Sequence, residues 1–451
     1  MLQKKLNFIV AIASLTMAYL MFANGQVFAA GSSETIEPTH AILPDTDSRM
    51  LTLQRAIELS LANNQSLAVL RSQAEALNAI PSQVGALPDP TLGLNALNLP
   101  TDTFDLDQEP MTQMQVSLSQ SFPFPGKRGL KREAAEYEAS AATQKILDQQ
   151  LQVTASVRST WWQLVYLDHA IETIQQNQDL MRDFVEIAQT KYKVGKGLQQ
   201  DVLLAQLELS RLLNRLLPLN GMREISRADL NALMDNDPNQ EIRLSSAAPN
   251  TNLPELPPES DLLQHAVQAR PLLDVKRQRT EAARTRLDLA RKEHYPDFKL
   301  GAAYGFRDAT DPTGRDLPDL ASFRLSINLP IYSGSKQNKA VDQRSSDYFQ
   351  HKHAFNESLR SIQTAVARNY AQYRVSREQV SLYSTAIIPQ AQQTVSAMLS
   401  AYQVNEVDFL NVLNAQIMLY NAQISYWEAL SSAKQSLANL AASVGSENLY
   451  E

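Results

Sequence analysis

The chain repeats itself, and the repeat limits what it can fold into. Residues 192–206 (YKVGKGLQQDVLLAQ) align without a gap with 402–416 (YQVNEVDFLNVLNAQ), sharing Tyr, Val, Val, Leu, Ala and Gln in register. Upstream, 116–126 (VSLSQSFPFPG) aligns with 323–334 (FRLSINLPIYSG) with one residue of slip, and Pro88-Asp89 answers Pro296-Asp297. A spacing of 207 to 210 residues is far too long for a solenoid repeat, so the chain is a tandem duplication of one supersecondary unit.

Each copy reads as helix, two strands, one very long helix, a tight turn and a returning helix. The strand pairs are 91–99 with 113–122, and 298–307 with 322–331. They alternate with period two: Phe323, Leu325, Ile327, Leu329 and Ile331 point one way, Arg324, Ser326 and Asn328 the other. About ten alternating residues with aromatics near the ends is enough for a tilted strand to cross a bilayer. The same pattern also fits a half-buried soluble sheet. Polar turns at 100–110 and 308–319 join the strands within each pair.

Between Gly126 and the turn at Gly195 the chain has no Pro and a single Gly, Gly129, and the stretch reads as continuous helix. Val153, Val157, Thr160, Leu164, Leu167, Ile171 and Ile174 follow a 4-3 spacing, the seam of a coiled coil, and Val202, Ala205, Leu209, Leu212 and Leu216 return on the same rhythm. The second copy has Phe355, Leu359, Ile362 and Val366, then Leu413, Ile417, Tyr420, Ile424 and Trp427. Pro389 is the interior breaker expected to kink its helix. The segment 235–260 carries five prolines and reads as an irregular equatorial linker, and the small, polar stretch 442–451 as a fraying tail. The expected organisation is a first repeat over 30–234, with its hairpin at 127–233, and a second over 261–441, with its hairpin at 335–441.

Lys4 and Lys5 precede an apolar run that ends near Val27 and Ala29, which reads as a signal peptide over 1–29; a single anchor helix is the other reading. Removing both lysines leaves 39 basic against 48 acidic residues, a charge of −9. That balance argues against a nucleic-acid partner. With no Cys, disulfides, a thiolate nucleophile, a Cys-ligated zinc and an acylated N-terminal Cys are excluded. Fourteen Gly, against roughly thirty at average usage, leave little room for phosphate-cradling loops. The six His are scattered, and His351 and His353 stand two apart, on different faces of a helix. No catalytic constellation emerges, and neither a cofactor nor a metal site is expected. Trp161-Trp162 reads as packing between helices.

With these residues in view, the chain resembles the TolC family of outer-membrane efflux channels over nearly its whole length. The two turn motifs at 192–206 and 402–416 carry the resemblance. The segment 121–128 (SFPFPGKR) looks like the strand-to-helix junction of the heavy-metal (Czc/Cus-type) outer components. The resemblance implies a mainly α fold with a transmembrane β-barrel portion: long antiparallel hairpins forming an α-helical barrel, and four strands per chain closing a twelve-stranded barrel as a homotrimer. It implies an outer-membrane protein reaching into the periplasm, not an enzyme, that serves as a passive exit duct for heavy-metal cations. A periplasmic adaptor, an RND-type inner-membrane pump and outer-membrane lipid are the implied partners. Val194, Gly195, Lys196, Gly197, Leu198, Val404 and Val407 would then dock the adaptor at the tips. Asp201, Glu406, Asp408, Asn411 and Asn414 would line a pore constriction, with Asn411 and Asn414 standing where some members carry Asp. A drug-efflux or type I secretion duct shares this architecture. From a different class, a periplasmic coiled-coil adaptor or scaffold is the competing reading.

Overall fold

The computed structural model describes residues 50–245, 250–404 and 406–450; the expected signal peptide and His40 lie outside them. The first copy contains β1 (Met50–Leu51), α1 (Leu53–Asn63), α2 (Gln65–Gly85), β2 (Thr91–Leu97), β3 (Gln113–Phe122), α3 (Lys127–Lys193) and α4 (Gln199–Leu233). The second contains β4 (Arg243–Leu244), α5 (Glu259–Ala269), α6 (Pro271–Lys292), β5 (Phe298–Phe306), β6 (Leu320–Ile327), α7 (Gln337–Leu382), a π-turn at Tyr383–Ile387, α8 (Ile388–Gln403) and α9 (Phe409–Val444).

The single helix expected before each strand pair is two helices. Asn64 ends α1 and caps α2, its side chain accepting from the Ser66 and Leu67 amides. In the second copy, Arg270 is held extended by the proline that follows it, and Pro271 opens α6.

The four long strands form one antiparallel sheet in the order β2-β3-β5-β6, so the two copies meet at its centre. Leu94 pairs with Val116 in the first copy and Ala302 with Phe323 in the second. These are equivalent positions, so the duplication preserves register as well as sequence. Leu92, Leu94, Leu118, Leu300, Phe323 and Leu325 share one face, and each is at least half exposed. Among the described residues the outer edges of β2 and β6 pair with no strand. The fourth strand stops at Ile327, four residues short of the expected end, because Pro330 has no amide to donate.

The 67 residues of α3 extend roughly 100 Å. The predicted seam is the packed face: Val153, Val157, Leu164, Leu167, Ile171 and Ile174 are buried, and so are Ala205 and Leu212 on the returning helix. Near the turns, the apolar core joins Leu167, Ile174, Met181 and Phe184 of α3 to Phe409, Val412 and Tyr420 of α9. Pro389 breaks the second hairpin as expected. Its ring would clash with the carbonyl four residues back, and the π-turn ending at Ile387 opens the ladder there. Pro218, which the sequence did not mark as a breaker, is carried inside α4. No described helix is long and apolar enough to cross a membrane.

In and beside the segment joining the copies, β1 pairs with β4 in parallel, the Tyr373 hydroxyl donates to Pro254 O at 2.5 Å and the Lys434 ammonium to Asn252 O at 2.7 Å. The tail expected to fray is ordered instead. α9 runs to Val444, Gly445 caps it at φ 81°, and Glu447–Leu449 forms a 3-10 turn. The Trp162 indole donates to the Tyr450 hydroxyl at 2.5 Å, and the Arg158 guanidinium lies 4.1 Å from the Tyr450 ring centre. Aromatic burial beside a cation outweighs the small, polar composition that suggested fraying. Trp161 and Trp162 are both buried in helix packing.

Candidate functional site: the hairpin tips and the strand junction

Each helical hairpin ends in a tip built by one recipe. In the first, the Gly195 amide donates to Tyr192 O at 3.0 Å and the Lys196 amide to Lys191 O at 2.8 Å. The long Lys196 bond is of the Schellman kind, which requires a left-handed residue, and Gly195 supplies it at φ 73°. In the second, the Glu406 amide donates to Ala401 O at 2.9 Å, the equivalent long bond. The next helices also begin alike: the Asp201 amide donates to Leu198 O at 3.2 Å and the Asn411 amide to Asp408 O at 3.0 Å.

The tips differ in chemistry. Gly197 has no room for a side chain, since a Cβ there would stand 2.8 Å from the Lys191 Cβ and 3.1 Å from the Tyr192 amide nitrogen. Its counterpart is Val407, so the second turn leaves room that the first does not. Lys191, Lys193 and Lys196 make the first tip basic, whereas Glu406 and Asp408 make the second acidic. Val194, Leu198 and Val404 present exposed apolar side chains. Lys196, Glu406, Asp408, Asn411 and Asn414 are exposed, while Asp201 and Val407 are half-buried.

Asp201 lies in the first turn of α4, where the helix dipole favours a carboxylate. Its charge is also felt at Tyr402, whose hydroxyl is pushed above the usual tyrosine range first by burial and then by Asp201. The Tyr402 ring packs against Phe409, and Phe409 meets Phe184 edge-on. Thus the structure brings Asp201 close to the opposite tip, while Asp408 remains an N-cap with no side-chain bond.

Behind the tips lies a polar layer with no signal in the sequence. The Tyr420 hydroxyl donates to Glu208 Oε1 at 2.7 Å, and the Gln416 amide donates to Asn177 Oδ1 at 2.7 Å, both buried. Burial first, and then the Glu208 carboxylate, raises the Tyr420 pKa far above its ordinary value. Among the described residues no group of three or more His, Asp and Glu side chains is placed to hold a metal ion.

At the opposite end, the FPFPGKR segment forms the corner between β3 and α3. Gly126 takes φ 90°, and a Cβ there would stand 2.6 Å from the Lys292 ammonium. Lys127, 2% exposed, donates to Glu293 Oε2 at 3.1 Å, Tyr295 O at 2.9 Å and Asp297 Oδ1 at 2.9 Å. Asp297 also accepts from the Phe124 amide at 2.7 Å, and Phe124 stacks on Tyr295 with centroids 4.6 Å apart. One buried lysine therefore ties the first copy's corner to the strand entry of the second.

Comparison with known proteins places this architecture. The family described as Outer membrane efflux protein matches residues 56–236 and 262–446, one match per copy. The chain is 23% identical over 415 residues to the cobalt-zinc-cadmium resistance protein CzcC of Cupriavidus metallidurans, covering 92% of this chain and 94% of that one. It is 26% identical over 178 residues to the outer membrane protein TolC of Escherichia coli, covering 37% of this chain and 36% of that one. The solved structure of CusC superposes with a TM-score of 0.74 at 15% identity, covering 90% of this chain and 96% of that one. With an apolar sheet face for lipid, long hairpins below it and both copies matched, this chain belongs to the outer membrane efflux protein family, as a passive TolC-family channel and not an enzyme.

Proposed function

We propose that the protein is the exit duct of a tripartite efflux pump, closing as a homotrimer and joined at its tips to a periplasmic adaptor and an RND-type inner-membrane pump. The sheet carries this reading. Apart from Gln120 one face is apolar, and most of it is exposed, yet among the described residues β2 and β6 leave backbone edges unpaired, which lipid does not tolerate. Pairing β6 of one copy with β2 of the next removes every edge, and threefold closure gives a twelve-stranded barrel. Heavy-metal cations are the substrate class, supported by the similarity to CzcC over nearly the full length of both chains.

In this duct Val194, Gly195, Lys196, Gly197, Leu198, Val404 and Val407 meet the adaptor, through exposed apolar side chains on a turn of fixed shape. Asp201, Glu406, Asp408, Asn411 and Asn414 surround the constriction, where threefold repetition concentrates cations. The deciding experiment is the oligomeric mass of protein extracted by detergent from purified outer membranes. A trimer is expected; a monomer or dimer released by salt alone contradicts the duct. For the substrate class, loss of the protein should sensitise cells to cobalt, zinc or cadmium more than to dyes and detergents, and the reverse pattern points to a drug duct.

A further inference from the structure

The polar face of the sheet carries charge of one sign. Register places Thr91, Gly93 and Asn95 of β2, the odd-numbered residues of β3 and β5, and Ser322, Arg324 and Ser326 of β6 on that face. Its charged residues are Lys299 and Arg324, both exposed, and no carboxylate stands on the face. Lys299 pairs with Ser326 and Arg324 with Gly301, so the two cations are diagonal neighbours one step apart on adjacent strands. Across the ladder the neighbouring positions are Gly301, Ser119 and Ser121, too small to screen or partner them.

The nearest acids do not neutralise this pair. Asp297 precedes β5 and is engaged by the Lys127 ammonium and the Phe124 amide. Asp89 precedes β2, outside the sheet. Asp308, Asp311, Asp316 and Asp319 cluster in the loop at the far end of the strands. Among the described residues neither Lys299 nor Arg324 makes an ion pair. Two like charges set diagonally with no counter-ion repel each other, and a packing role does not account for them, because both side chains are exposed.

From this placement we infer that Lys299 and Arg324 form a cationic ring at the periplasmic end of the barrel lumen, which favours anions and excludes free cations. The inference rests on the duct reading, in which the apolar face meets lipid and the polar face lines the lumen, and each chain contributes both residues to the ring. The duct then has a collar opposite in sign to Asp201 and Asp408 at its tips. Free divalent cations in the outer medium are depleted at the collar, and metal accompanied by anionic ligands crosses it more readily than the bare ion.

The chain has no native Cys, so Ser119→Cys supplies a single thiol on the polar face, opposite Gly301. In intact cells this thiol is treated with an anionic or a cationic methanethiosulfonate of similar size, with and without the further changes Lys299→Gln and Arg324→Gln. The ratio of anionic to cationic reaction rate should be on the order of tenfold higher when both cations are present, and the difference should shrink as ionic strength rises. Equal ratios in the two backgrounds, with both reagents reacting, overturn the ring and leave the duct standing. If the introduced thiol reacts only after solubilisation, the outward-open lumen falls, and the ring with it.

Discussion

The Lys191 ammonium lies 3.8 Å from the centre of the Tyr402 ring, joining the last turn of α3 to the end of α8. The basic tip is thereby fastened to the acidic one by a cation on an aromatic face. Lys191→Met keeps most of the stem and removes the charge. It should loosen the tip by about 0.5–1 kcal/mol, read as a few-fold faster amide exchange at residues 192–198. Unchanged exchange would show the contact to be incidental.

The first turn should be intolerant in two distinct ways. Gly195 has open space around it but takes φ 73°, so Gly195→Ala costs about 1 kcal/mol of backbone strain, and Gly195→Asn costs less. Gly197→Ala instead meets the Lys191 Cβ and the Tyr192 backbone, and should shift the turn itself. Limited proteolysis at the tip separates them: both alanine variants are cut faster than the parent, and only the Gly195 site is rescued by Asn.

The Glu208 carboxylate is 3% exposed and accepts from Tyr420, with Arg211 3.5 Å away at the surface. Tyr420→Phe removes the short donor and leaves a buried carboxylate underserved, at a cost of about 1–3 kcal/mol. Adding Glu208→Leu to it should recover part of that loss. A double variant no more stable than Tyr420→Phe in thermal melts refutes the coupling.

Burial lowers the Lys434 pKa to about 8 from 10.5, although its ammonium donates to Asn252 O at 2.7 Å. Between those values the unfolded chain binds more protons than the folded one, so this group makes stability rise as pH climbs from 8 towards 10. The gain is at most about 3 kcal/mol. Above pH 10 the tyrosines oppose it: burial holds the Tyr373 and Tyr450 hydroxyls up to about 12, so only the unfolded chain ionises there, it binds fewer protons than the folded one, and stability falls. In melting temperatures measured from pH 7.5 to 10, the parent should gain on Lys434→Met as pH rises; parallel curves contradict this assignment.

What the sequence disclosed was whatever repeats locally. The alternation through Phe323, Leu325 and Ile327 marked the strand and its faces, and the 4-3 rhythm from Val153 to Ile174 marked the buried side of α3. The tip turns were legible because Tyr192 and Tyr402 bracket matching motifs. The missed features depend on residues far apart in the chain. Lys127 meets Asp297 across 170 positions, Trp162 meets Tyr450 across 288, and Tyr420 meets Glu208 across 212. The break at Asn64 was missed for another reason: a capping asparagine inside a polar helix surface looks like any other solvated residue.

The seam at the sheet centre doubles as a template for assembly. β3 and β5 are the second strand of one copy and the first of the next, the relationship that β6 has to β2 of an adjacent molecule in the proposed trimer. Carrying the pairing of Leu118 with Ala302 through the duplication puts Leu325 opposite Leu94 of the neighbour, and Phe323 opposite Ala96. Leu94→Cys combined with Leu325→Cys should therefore cross-link separate chains, while a pair displaced by one residue should not. Read this way, the molecule holds an internal record of its own oligomer. Six half-chain units close the proposed barrel, and every second ladder between them lies within one chain.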